Sequence, residues 1–392
     1  MARTMIQTIL QDAIRQAGGL LPFHQFMQQA LYHPEQGYYM SQRPRLGRAG
    51  DFVTAPEMTS LFGELLTLHC IEVWQRLGQP ARFDVVEAGA GSGKLAADIC
   101  RTARHFPAFQ AVLTYTILEI SPTFQTRQRQ TLAEAGLPPE RLRWCTTLAD
   151  LEEGGIEGVL LSNEFLDAFP VHWLEMTAEG LREIGVAWGT GGLSSRLMPV
   201  TPPMTADYFT RLNHPLPIGM RTEVGLAAAA WMGEAAQRLG RGMILSIDYG
   251  YTQQEYYSAA LPQGTLCGFH QHQQITDPLQ HPGEMDLTAH VNFTAIAQAG
   301  EAAGLTTLGY TTQAWFLMGL GILQRLEGIA QQQGEEARQR LQPTVLRLIM
   351  PQGMGERFKV LAQGKGMDGE PPLAGFALRD ARQRLMRQEP SK

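Results

Sequence analysis

The stretch FDVVEAGAGSGKLAAD, residues 83–98, joins an apolar strand-like run, three alternate glycines and a helix-like tail without a break. A strand that feeds a helix through so tight a turn belongs to an α/β fold, and glycines there let the backbone come close to a ligand. Counting positions narrows which ligand. A triphosphate-binding loop needs Gly, four residues, then Gly-Lys-Ser/Thr; around Gly93-Lys94 the first position is Ala88 and the last is Leu95. A dinucleotide turn needs a third glycine at 94, where the chain has Lys94. What remains is Glu87-x-Gly89-x-Gly91-x-Gly93. A carboxylate ending the strand suits a cationic ligand better than a pyrophosphate. A glycine-rich turn that holds nothing is the alternative.

The rest of the chain repeats the alternation. After VVEAG come a helical pattern over Lys94 to Arg104, the strand LTYTILEI, a helix over Pro122 to Ala135, then LRWC and GVLLSN as strands. MILSIDYG reads as a fifth strand behind an Ala-rich helix over Glu223 to Leu239, and FKVLAQGK as a last one. This order predicts a Rossmann-like core over 81–170 and 223–312. Residues 1–80 read as a helical extension that ends in a loop, and 171–222 as an insert of short strands. Residues 313–392 read as helices and a final core strand. DLTAHVNFTAIAQAGEAAG is expected to be helical.

Composition sets the outer limits. The 392 residues, 44% hydrophobic, exceed what one ordinary domain needs. A net charge of -6 gives no general attraction for nucleic acid or anionic lipid, so neither is expected as a partner. Four scattered cysteines, Cys70, Cys100, Cys145 and Cys267, form no C-x-x-C pair. His270, His272, His281 and His290 lie in polar stretches with no carboxylate or cysteine spaced to complete a set, and no metal is expected. The N-terminus lacks an apolar signal region, and no run of about 18 apolar residues occurs; a cytoplasmic protein without membrane insertion is the expectation.

Two further strand ends gather polar chemistry, where doubly wound sheets bind ligands. Glu119 closes the second strand and is placed to accept two hydrogen bonds from a ribose diol; a solvated residue at a helix start is the alternative. The fourth strand ends in SNEFLDAFPVHW. There Asn163 offers an amide, and Glu164 and Asp167, three apart, would share one face of a helical turn. Two carboxylates suit a cationic acceptor such as a guanidinium, which must be oriented and then relieved of a proton. Alternatively Asp167 only caps the following turn.

The glycine turn is the pattern of S-adenosylmethionine (SAM) binding in class I methyltransferases, and a wider resemblance follows it. ALYHPEQGYYM, GDFVTAPEMTSLFGELL, VVEAGAGSGKLAADI, ILEISP, LLSNEFLDAFPVHW, LSIDYGY, the GTLCGFHQH run, DPLQHPGEMDLTAHVNFT and GYTTQAWFL occur in the order of the MidA family of SAM-dependent methyltransferases. That family includes a mitochondrial complex I assembly factor that methylates a protein arginine. The resemblance implies a seven-stranded class I methyltransferase sheet, SAM as cofactor, and an arginine of a partner protein as acceptor, with a respiratory complex I subunit among the partners; a homodimer is an open assembly state. It also gives GDFVTAPE the part of a loop folded over the cofactor, with Asp51 and Thr54 placed to hydrogen-bond the methionine moiety. Thr54, Pro56 and Glu57 starting a helix is the competing account. His290 becomes a proton relay or orienter near the acceptor, against a reading in which Asp286 caps a helix there. A nicotinamide-dependent oxidoreductase and a SAM-binding assembly chaperone without turnover stand as the rival functions.

Overall fold

The computed structural model describes residues 4–41, 54–137, 139–271, 273–367 and 369–386. The chain forms two compact units, each built from three separate segments. One comprises Val53–Phe165, Trp231–Gly250 and Phe293–Lys392; the other comprises Met1–Phe52, Leu166–Ala230 and Tyr251–Asn292.

The first unit is built on strands β1 (Phe83–Ala88), β2 (Leu113–Leu118), β3 (Leu142–Cys145), β4 (Ile156–Asn163), β5 (Leu239–Tyr251), β6 (Thr306–Thr312) and β7 (Phe358–Lys365). They lie in the spatial order β3-β2-β1-β4-β5-β7-β6. From β3 to β5 the pairing is parallel, and β7 runs antiparallel to both β5 and β6. Val85 pairs with Tyr115 of β2 on one side and Val159 of β4 on the other, so β1 is an interior strand, and all six of its residues are buried, Asp84 and Glu87 included. The strand order reverses between β1 and β4, which puts the ends Ala88 and Asn163 at the topological switch point. Helix Pro122–Glu134, behind β2, starts where sequence chemistry demands: Ser121 Oγ accepts the Phe124 N–H, and Pro122 fills the first turn.

The second unit has an antiparallel sheet in the order Leu21–Pro22, Gly180–Gly189, His172–Thr177, Arg221–Val224, with Gly192–Met198 added on Gly180–Gly189. A smaller sheet joins Gln273–Ile275, Cys267–His270 and Asp286–Thr288. Helix Met5–Gln16 opens on a capping box between Thr4 and Gln7 and buries Ile6, Leu10 and Ile14, one per turn. Helix Phe23–Tyr32 follows.

Two expected helices are shorter than their sequences suggest. Asp286–Thr288 is a strand, and the helix begins only at Phe293. Leu287, Ala289, Val291 and Phe293 are all buried at a spacing of two, and that period places the segment in a sheet before the helical period takes over. Likewise Arg221–Val224 pairs with His172–Thr177, and the Ala-rich helix starts at Leu226, after Gly225. Among the described residues no helix is long and apolar enough to cross a membrane.

Candidate functional site

β1 runs directly into the glycine turn. Gly89, Gly91 and Gly93 hold left-handed backbones, with φ of +68°, +51° and +82°. Any other residue would be strained there by about 1–2 kcal/mol. Space makes the same demand: a Cβ on Gly89 would sit 2.6 Å from the Phe165 ring, and one on Gly93 3.1 Å from Gln128 Cα. Helix Lys94–Ala103 starts immediately after Gly93, so its first N–H groups open onto the end of the turn.

Glu57, in the short helix Ala55–Met58, accepts a hydrogen bond from the Ser92 hydroxyl within the turn. The Ala55 N–H donates to Glu164 Oε1 at 3.4 Å. The segment after Thr54 is therefore joined both to the glycine turn and to the end of β4. Thr54 precedes its helix without a side-chain cap bond, and Asp51 lies outside the described residues.

Two buried carboxylates flank the turn. Glu87 Oε2 accepts the Tyr115 hydroxyl at 2.6 Å. Burial pushes its carboxyl up to about 7; the Tyr115 hydrogen bond opposes that and the Glu119 charge adds to it. Glu119 is 8% exposed; its Oε1 accepts the Ser121 N–H at 2.8 Å and its Oε2 the Gln128 amide at 3.0 Å. Burial raises it too to about 7, against those same donors. Gln128 also reaches the Gly91 carbonyl at 3.1 Å, coupling the ends of β1 and β2.

At the end of β4, Glu164 has φ +51°, a left-handed backbone in a residue other than glycine. Such strain persists where the surroundings fix it. Here the Glu164 N–H donates to the Ile247 carbonyl at 2.9 Å, and the next N–H, of Phe165, donates to the buried Asp248 carboxylate at 3.1 Å. Asn163 donates its amide to Glu164 Oε1 at 3.2 Å, while Asn163 Oδ1 is buried with no hydrogen-bond partner among the described residues.

The expected shared helical face of Glu164 and Asp167 does not form. The left-handed backbone at Glu164 ends any helical run, and the turn that follows is a short 3-10 segment, Leu166–Ala168. Asp167 belongs to the second unit, where its carbonyl accepts the Ala289 N–H at 3.1 Å. In the same unit His290 stacks on Tyr251, centroids 5.2 Å apart, and its N–H donates to Thr265 Oγ1 at 3.0 Å. Thr265 is held in turn by buried Glu223, which accepts its N–H at 2.9 Å and its hydroxyl at 3.0 Å. Asp286 caps no helix: it lies in a strand and accepts the Tyr39 hydroxyl at 2.7 Å. His270 and His281 stack on each other, centroids 4.7 Å apart, and His272 lies outside the described residues.

Phe165, Gln128 and Asp248 were not singled out by sequence reasoning. Gln128 carried a signal: it sits between Phe124 and Leu132 at four-residue spacing, a polar side chain in an apolar stripe, and it is fully buried. Phe165 and Asp248 follow only from the register of β4 and β5.

A family model described as "Putative S-adenosyl-L-methionine-dependent methyltransferase" matches residues 65–311. A Drosophila melanogaster protein named "Protein arginine methyltransferase NDUFAF7 homolog, mitochondrial" is 31% identical, over 92% of this chain and 86% of its own length. A Mus musculus relative, "Protein arginine methyltransferase NDUFAF7, mitochondrial", is 32% identical over 88% of this chain and 81% of its own. A crystal structure of a Burkholderia thailandensis protein bound to S-adenosyl-homocysteine superposes with a TM-score of 0.87 at 35% identity, covering 96% of both chains. The core is thus a class I methyltransferase sheet. The relatives are named mitochondrial, which overturns the expected cytoplasmic location; net charge and the lack of a long apolar run bear on membrane crossing, not on compartment.

Proposed function

Because the chain belongs to the S-adenosyl-L-methionine-dependent methyltransferase family, we propose that its methyl acceptor is an arginine of a partner protein. The observation that carries this is the end of β4: the carboxylate of Glu164, fixed in a left-handed backbone, beside the buried and unpartnered Oδ1 of Asn163. A guanidinium carries five N–H donors and no acceptor, and two such oxygens side by side are complementary to it. The relatives named as protein arginine methyltransferases support the same class.

The residues around the glycine turn fit the cofactor. Three positive-φ glycines leave the turn without side chains, and Glu119 retains lone pairs for a ribose diol beside its bonds to Ser121 and Gln128. When bound, SAM supplies an electrophilic methyl carbon on a sulfonium, and S-adenosylhomocysteine leaves. In this proposal Glu119 fixes the ribose, while Glu164 and Asn163 hold the guanidinium with one nitrogen in line. Glu164 accepts the proton that this nitrogen loses as it bonds to carbon. The guanidinium is charged at any working pH, so proton loss accompanies the transfer. Asp167 and His290 remain, on their chemistry alone, the second carboxylate and a proton relay.

The test is label transfer. Protein incubated with methyl-labelled SAM and a cell lysate should label an arginine, with respiratory complex I subunits as the first acceptors to assay. Glu164→Gln should cut the rate by about 100-fold or more while leaving SAM affinity within about threefold. Label on another residue type overturns the acceptor class, and SAM binding with no label on any protein or small molecule favours the assembly chaperone.

A further inference from the structure

The second unit holds a cluster that methyl transfer does not use. His24 lies in the first turn of helix Phe23–Tyr32, His172 opens strand His172–Thr177, and Glu183 lies in strand Gly180–Gly189. His172 Nδ1 is 2.8 Å from Glu183 Oε1, and His24 Nδ1 is 3.5 Å from the same oxygen. The two imidazoles face each other with centroids 4.2 Å apart and planes tilted by 34°. One donor atom from each residue lies within 4.8 Å of the others.

Three features make this more than a histidine–carboxylate hydrogen bond. Glu183 Oε2 is held by the Thr201 N–H and hydroxyl, both at 2.7 Å, which orients the buried carboxylate and leaves Oε1 to the imidazoles. His24 Nδ1 is buried without a hydrogen-bond partner, although it converges on that same oxygen. At 3.5 Å that nitrogen stands beyond the usual N–H···O reach of Oε1, and a shared cation would engage both rings and the carboxylate at once. His24 and His172 also line a cavity of about 740 Å³, which leaves room for a water or another ligand as a fourth donor.

We propose that His24, His172 and Glu183 bind one divalent transition-metal ion, with zinc the best match, through two imidazole nitrogens and one carboxylate oxygen. Zinc takes nitrogen at ~2.0–2.1 Å and carboxylate oxygen at ~2.0–2.2 Å in a tetrahedron, which sets donors about 3.3 Å apart. The His24–Glu183 separation is already close to that value. The His172–Glu183 separation opens by about half an ångström as an N–H hydrogen bond gives way to a shared ion. Two imidazoles disfavour calcium and magnesium, which seek oxygen. The ion joins the first turn of an N-terminal helix to two strands distant in the chain.

The experiment uses the full chain without a histidine tag, stripped with EDTA and titrated with zinc and, separately, with cobalt(II). The expected result is one ion per chain and visible cobalt d–d bands without the thiolate charge-transfer absorption that cysteine ligation would give. His24→Ala, at a residue whose side chain is 22% exposed, should lower zinc affinity by more than about 100-fold and abolish the rise in Tm on adding zinc. His172→Gln should lose the ion in the same way while keeping an N–H donor for Glu183. Zinc uptake and Tm response equal in wild type and both variants, or no cobalt bands in the wild type, overturns the site.

Discussion

In the proposed cofactor site, Glu119 would make binding depend on pH. With its carboxyl near 7, it is about half protonated in ligand-free protein at neutral pH. Two hydroxyls of a ribose diol donating to it favour the ionised form, so SAM binding should release roughly half a proton at pH 7. Calorimetry in buffers of different ionisation enthalpy should show that release, and it should fade above about pH 8.5 and vanish in Glu119→Gln; identical heats in all buffers would remove the diol role. A shift of the same kind at Glu87 acts on stability. Its folded carboxyl, near 7, lies above the unfolded value of 4.5, so the folded state binds the extra proton between those limits. Stability is therefore fully present below about pH 4.5 and falls as pH rises to 7, by on the order of 2–3 kcal/mol. Urea titrations of ligand-free Glu87→Gln should show a flatter pH dependence over that window, and an unchanged slope would contradict it. Of these residues, Glu119 and the glycines were legible in the sequence because their types and spacing carry chemistry. Gln128 and Phe165 were not, because what they do is set by what they touch: the Gly91 carbonyl and Glu119 for one, the bare Cα of Gly89 for the other.

At the level of elements, a single buried carboxylate organises the loop that leads to His290. Glu223 accepts the N–H groups of Thr265 and Leu266, the Thr265 hydroxyl and the Tyr256 hydroxyl. Glu223→Ala would leave these donors without an acceptor, at a cost of about 3 kcal/mol or more. It would also release Thr265, whose hydroxyl oxygen fixes the His290 N–H. Chemical denaturation should show the loss, and a variant within about 0.5 kcal/mol of wild type would mean that the loop is held by other contacts. Thr4→Ala, which breaks the capping box of the first helix, should cost only about 1 kcal/mol. The two elements misread from sequence share a cause. Leu287, Ala289, Val291 and Phe293 alternate over too short a stretch to outweigh the strong helical pattern behind them, and Arg221–Val224 is a strand only because His172–Thr177 lies beside it. Long periodic runs such as Pro122–Glu134 were plain because their caps and stripe agree.

For the whole molecule, alternating strands and helices announced a parallel sheet, but they left unstated that β7 returns antiparallel between β5 and β6. Nothing local marks it: FKVLAQGK has the same apolar character as its parallel neighbours, and its direction is fixed by the connection after β6. A core interrupted by an insert was expected, but that the N-terminal segment and Tyr251–Asn292 join the inserted segment in one unit was hidden, because a pairing such as Leu21–Val186 joins residues far apart in the chain. Net charge, by contrast, is a property of the whole sequence. At -6 the chain attracts basic segments at long range, and a basic peptide carrying the proposed acceptor arginine would be drawn to it. That attraction is screened as the Debye length shrinks from about 10 Å at 0.1 M salt to about 3 Å at 1 M. In the proposed site a guanidinium held by Glu164 and Asn163 would make short contacts, on which salt should have little effect. Raising salt over that range should therefore increase KM for an arginine peptide several-fold and leave kcat within about twofold. A KM indifferent to salt would argue that the acceptor is recognised through apolar or neutral contacts. A fall in kcat alone would place the salt-sensitive charges in the reacting geometry itself.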